Sequence, residues 1–215
     1  MNTLILIFYR IAAFFTRVPR KTKEKHAHIR AVKIADMASL DNSFINSQSK
    51  LSEIPYGCGN MGDNGCGPVA VYNALLSLKN AEKAEDKISD KDNVSLTDVI
   101  KDLEHRGATL HGKFGTSPAA IKKYLKKKGY STKTCISKKP GKVNEFSENC
   151  DTFISIIYNN AESIGDGLHF ICTEKTENGF KTHNPEHMSD SLFSALDMCS
   201  SNTIRHVYTI GILRH

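Results

Sequence analysis

Asn64-Gly65-Cys66-Gly67-Pro68 runs directly into Val69-Ala70-Val71-Tyr72-Asn73-Ala74-Leu75-Leu76-Ser77-Leu78. Apolar residues at 71, 74, 75 and 78 recur at helical spacing. Pro68 suits the first turn of such a helix, where its missing N–H is not needed. Cys66 therefore stands at a helix start. A helix N-terminus favours negative charge, so it lowers a thiol pKa and offers N–H groups to a developing oxyanion. Gly65 and Gly67 leave room for a substrate backbone to approach. A buried cysteine often serves only as a small apolar residue. The Gly-Cys-Gly-Pro setting instead singles out Cys66 as a candidate nucleophile.

A thiolate nucleophile needs an acid/base partner, usually histidine. The chain has nine histidines. His26 and His28 lie in a basic stretch, His105 and His111 in charged, loop-like surroundings, and His215 at the end. His169 differs, because it interrupts the apolar strand pattern Leu168-His169-Phe170-Ile171. An imidazole there needs a specific partner, whether a backbone carbonyl in the core or a reacting thiol. His183, on the return strand, is the competing candidate. A histidine base also needs a group to orient its second nitrogen. The hairpin at Asn178-Gly179 brings residues 169 and 184 to neighbouring strands, so Asn184, just before Pro185, is the expected third member. Asn60, in the Gly-rich turn before Cys66, is the expected oxyanion donor, with Asn64 as the alternative.

The surrounding pattern predicts helices over Ser95–Arg106 and Ala119–Lys128, the second opened by Ser117-Pro118 and stopped by Gly129. A charged loop is expected over residues 80–93. Strands are expected over Tyr130–Ile136, Thr152–Tyr158, Gly167–Glu174, Gly179–Thr182 and His206–Leu213, with a short helix over Leu192–Met198. Helices first and strands second indicate an α+β domain with a mostly antiparallel sheet. The domain is expected over residues 51–215, preceded by an apolar helix over 1–18 and a basic linker or extension over 19–50.

Residues 1–18 carry Thr3, Arg10 and Arg17 on one helical stripe and apolar residues elsewhere. Such a helix must cover its apolar face, on a membrane surface or in a protein groove; a tilted span is the third option. It lacks the charge and cleavage features of a secretory signal peptide. Residues 17–33 hold seven Lys/Arg and only Glu24 as an acid, which reads as a solvated segment. Few aromatics interleave with these charges, so no nucleic-acid partner is expected. Six cysteines without CxxC spacing argue against a zinc site and for reduced thiols in a cytoplasmic setting. No phosphate loop, paired carboxylate or metal-ligand cluster is present in the sequence, so no cofactor or metal is expected.

The run Gly65–Leu75, followed by His169-Phe170-Ile171 and then Asn184-Pro185, resembles the bacteriocin-processing, double-glycine class of papain-like peptidases. It is most similar to their free-standing peptidase C39-like relatives, over about residues 54–213. The Gly115–Pro118 helix start and the Lys128-Gly129-Tyr130 exit are also similar. The resemblance implies a papain-like fold, a Cys–His–Asn triad and hydrolysis of a peptide bond in a peptide or protein substrate. Asn60 stands where that family usually has Gln, and Asn184 where it commonly has Asp. Acyl transfer on the same machinery, and a catalytically inactive membrane-associated binding module, are the alternative functions.

Overall fold

A computed structural model describes residues 18–36, 43–84, 94–113, 115–136, 149–158, 168–185 and 205–213, with isolated positions at 7, 11, 142, 145, 146 and 148. The helix expected over 1–18 lies outside the described residues but for Ile7, Ile11 and Val18, and the one over Leu192–Met198 lies wholly outside them. The fold is α+β. Helices α1 (Arg20–Asp36), α2 (Met61–Asn64), α3 (Cys66–Ala84), α4 (Leu96–Gly107) and α5 (Pro118–Lys127) precede the main sheet in the chain. A small hairpin, β1 (Pro55–Tyr56) and β2 (Gly59–Asn60), sits before α2. The main sheet is formed by β3 (Ser131–Cys135), β4 (Thr152–Tyr158), β5 (Leu168–Thr176), β6 (Gly179–His183) and β7 (Arg205–Leu213). Among the described residues it is antiparallel throughout, in the order β3-β7-β4-β5-β6.

Helix α3 is central because its residues from Cys66 to Leu78 are all buried. Its Ala70, Val71, Ala74, Leu75 and Leu78 pack with Ile154, Ile156, Phe170, Cys172, Ile210 and Ile212 of the sheet. Its Val69, Tyr72 and Leu76 pack instead with Leu51, Ile54, Tyr56, Met61, Leu96 and Ile100. Burying a side chain of the Leu, Ile or Phe type is worth about 1.5–3 kcal/mol, so α3 ties two core regions together. Buried Asn73 adds a polar latch. Its Oδ1 accepts from Ile45 N–H at 2.9 Å and its Nδ2 donates to Ile45 O at 2.8 Å. The helix also continues to Ala84, into the stretch expected as a charged loop.

Local chemistry sets the other boundaries. Ser95 caps α4 by accepting from Asp98 N–H at 3.2 Å, and Leu96, Val99, Ile100 and Leu103 face inward. Pro118 opens α5, and Gly129, at φ +93°, closes it with Tyr130 N–H donating to Leu125 O at 3.1 Å. The β5–β6 hairpin turns at Glu177-Asn178, with Cys172 opposite His183.

The basic stretch departs from the solvated linker expected of it. Over Arg20–Asp36 it is helical and packs on α4. Arg30 is 1% exposed, and its Nη1 donates to Glu104 Oε2 at 2.9 Å. The seventeen-residue helix has a polar composition, so its docking depends on this buried pair as well as on apolar contact.

Candidate active site

The first turn of α3 presents Cys66, which is 6% exposed. Its two glycine neighbours have packing reasons. A Cβ on Gly65 would lie 2.4 Å from Met61 O, and one on Gly67 would lie 2.5 Å from Thr116 Cβ. Both distances are impossible for a real side chain, so the glycines let α2 and Thr116 press against the Cys66 turn. The expected role of admitting a substrate backbone is therefore not what fills these positions.

The segment 108–116 frames the same turn. Thr116 Oγ1 hydrogen-bonds the buried Tyr56 hydroxyl at 2.5 Å. Burial pushes the Tyr56 phenol well above its ordinary pKa; the Thr116 hydrogen bond lowers it by less, and the Glu104 carboxylate adds to the rise. Gly115, at φ +62°, approaches closely enough that a Cβ there would stand 3.9 Å from Cys66 Sγ. Leu110 and His111 both adopt left-handed backbone conformations, at φ 48° and 57°. Such conformations are strained for residues other than glycine.

His169 lies at the start of β5 and is 9% exposed. Its Nε2 is 2.8 Å from the main-chain carbonyl of Asn184. A carbonyl oxygen only accepts, so Nε2 carries the proton in this contact. In neutral imidazole that leaves Nδ1 as the basic nitrogen. Asn184 is wholly buried and holds φ 58°, a left-handed conformation that Asn tolerates better than most residues.

The Asn184 amide does something else than expected. Its Oδ1 accepts from Gln48 N–H at 3.0 Å, and its Nδ2 donates to Gln48 Oε1 at 3.0 Å. Gln48 Nε2 in turn donates to Gly62 O at 2.8 Å. A continuous series of hydrogen bonds thus links α2, directly before Cys66, to His169. Gln48 was hidden in a Ser/Asn-rich stretch that reads as linker. A lone Gln there carries no periodic or motif pattern, so nothing local marks it.

Helix α3 also packs along β5. Ser77 Oγ meets Thr152 Oγ1 at 3.0 Å, and Thr152 pairs with Glu174 on β5. From Ser77 back to Cys66 the helix travels about 16 Å at 1.5 Å per residue. From Glu174 back to His169 the strand travels about 17 Å. It is the Gly62–Gln48–Asn184 series of hydrogen bonds that ties His169 to the segment preceding Cys66.

Two other predicted residues are engaged elsewhere. Asn60 caps α2: its Oδ1 accepts from Asp63 N–H at 2.9 Å and its Nδ2 donates to Asp63 Oδ2 at 2.8 Å. This commits the amide to Asp63 and not to the oxyanion position expected of it. Asn64 lies with its Nδ2 against Gly59, where a Cβ would come within 2.4 Å. His183, the competing base, is fully buried between Asn46 Oδ1 at Nδ1 and Glu174 Oε1 at Nε2, each at 3.0 Å. The Phe44 ring stacks on it at 3.8 Å. With both nitrogens occupied, His183 is built as a structural element.

The described cysteines 58, 66, 135, 150 and 172 are free thiols. Burial pushes Cys150 up to about 11 and Cys172 well above the ordinary thiol range, so both are poor nucleophiles. Among the described residues no helix is long and apolar enough to cross a membrane. Compared with protein-family models and with curated proteins, the chain matches none.

Proposed function

We propose that this protein is a cysteine peptidase of the papain-like, C39-like type, acting on a peptide or protein substrate. The observation that supports the reading is Cys66 in the first turn of α3, with His169, whose basic nitrogen is Nδ1, tied through Asn184 and Gln48 to Gly62 in the helix before it. In the proposed reaction His169 Nδ1 takes the Cys66 proton, and the thiolate attacks the substrate carbonyl carbon. The first-turn amide of Cys66 stabilises the oxyanion. The imidazolium then protonates the departing amine, leaving an acyl-thioester on Cys66. Water, deprotonated by His169 Nδ1, releases the acid and restores the thiol.

The orienting group in this reading is the main-chain carbonyl of Asn184. The amide of the same residue serves a supporting role by fastening that carbonyl to Gln48.

The test is chemical labelling. Iodoacetamide at neutral pH should modify Cys66 faster than the exposed Cys58, and Cys66→Ala should abolish the fast phase while Cys58→Ala leaves it intact. Equal, slow labelling of all cysteines would overturn the proposal.

A further inference from the structure

Glu104 is 1% exposed and lies on α4, away from the Cys66 turn in sequence. Its carboxylate is the centre of a buried network. Oε2 accepts from Arg30 Nη1 at 2.9 Å, and Oε1 lies 2.7 Å from His26 Nδ1. Oε1 also accepts from the main-chain N–H of Gly57 at 2.9 Å. Arg30 donates a second bond to Pro55 O at 3.2 Å. Two residues of α1 and one of α4 thus grip the β1–β2 hairpin.

That hairpin bears on the candidate nucleophile. Gly57, at φ +65°, presses on the strained turn so closely that a Cβ would sit 2.1 Å from His111 O. The next residue, Cys58, donates its N–H to the same carbonyl at 2.6 Å. The preceding residue, Tyr56, reaches Thr116, which fills the notch at Gly67 beside Cys66. The hairpin, the 108–116 segment and the Cys66 turn are therefore one packed unit. A buried ion pair adds little net stability over apolar residues of similar size. What Glu104 adds is a fixed position for Gly57.

We infer that Glu104 is a positioning residue for Cys66, and that α1, through Arg30 and His26, is a built-in strap controlling the reactivity of the site. The inference rests on Cys66 being the nucleophile of the proposed function.

The test uses the full chain and iodoacetamide, reading Cys66 alkylation by peptide mapping across pH. R30M/E104M and R30M/E104Q both remove the charges, but only Gln keeps an oxygen to accept from Gly57. R30M/E104M should slow Cys66 at neutral pH by about tenfold or more, with the midpoint of its pH profile raised by about one unit. R30M/E104Q should stay within about threefold of the unaltered protein. Melting curves establish that each variant folds. Hydrogen exchange in the unaltered chain provides a second measurement: the Gly57 amide should be protected as strongly as the core of α3. Rapid exchange there, or a double-Met variant that folds and keeps both rate and midpoint, overturns the inference while fast wild-type labelling leaves the functional reading standing. A wild-type Cys66 no faster than Cys58 overturns both.

Discussion

Asn184 turns its main-chain carbonyl, and not its amide, toward His169, at 2.8 Å from Nε2. The left-handed backbone of Asn184 aims the carbonyl, and the amide clamps onto both the backbone and the side chain of Gln48. His169 thus meets a backbone atom of Asn184, and that atom is held by a two-residue polar latch.

This arrangement makes Asn184 and Gln48 one energetic unit. Asn184→Ala and Gln48→Ala should each destabilise the fold by about 1–3 kcal/mol, since each strands a buried polar partner. The double variant should lose less than the sum, with a coupling of about 0.5–3 kcal/mol. Urea unfolding of the four proteins checks this. Strict additivity would show that the latch is not a unit.

On the proposed function, His169 is the base and His183 part of the scaffold. His169→Ala should lower peptide hydrolysis by about 10²–10⁴-fold with a small change in melting temperature. His183→Ala should do the reverse. It empties a fully buried site between Asn46, Glu174 and Phe44, and its effect should appear first in thermal unfolding. Parallel activity and melting measurements would show whether the assignments are exchanged.

Glu174 sets an acid limit on stability. Burial pushes its carboxyl up, but the hydrogen bonds and charge of His183, with Ser77, outweigh that and lower the pKa below the ordinary 4.5. A carboxylate with a depressed folded pKa stabilises the fold above its unfolded pKa and loses that contribution as pH falls through the folded value. Glu174→Gln should therefore be less stable than the parent near neutral pH. The difference should shrink as pH falls below about 4.3 and vanish below the depressed folded value. Urea midpoints from pH 7 downward measure it.

Gly67, beside Cys66, and Gly129, at the end of α5, should resist substitution for different reasons. Gly67→Ala drives a methyl to 2.5 Å from Thr116 Cβ and should cost about 1–3 kcal/mol by overpacking. It should also separate Thr116 from Tyr56. Gly129→Ala meets nothing within 4 Å, and its φ of +93° should be the main cost, about 1–2 kcal/mol. A Gly67→Ala variant as stable as the parent in urea unfolding would show that the Thr116 contact is not tight.

The regular elements were largely legible because their causes are local. Ser95, Pro118 and Gly129 punctuate α4 and α5 within a residue or so of the expected bounds, and β4 occupies the expected Thr152–Tyr158. One departure from expectation has a partner distant in sequence and the other a local one. The basic stretch read as linker, because its main anchor, Glu104, lies 74 residues from Arg30. Asn60, expected as an oxyanion donor, instead bonds Asp63 through both ends of its amide, an N-cap that the local Asn-x-x-Asp spacing is itself able to signal.

By itself, then, the sequence determined an α+β chain with Cys66 at a helix start and His169 in an apolar strand, since periodicity and punctuation act over a few residues. The tertiary structure alone decided that β7 inserts between β3 and β4, that Gln48 bridges Gly62 and Asn184, and that a carbonyl orients His169. The physical reason is that hydrogen bonds between remote segments depend on register and backbone φ, and neither is written in the spacing of residue types.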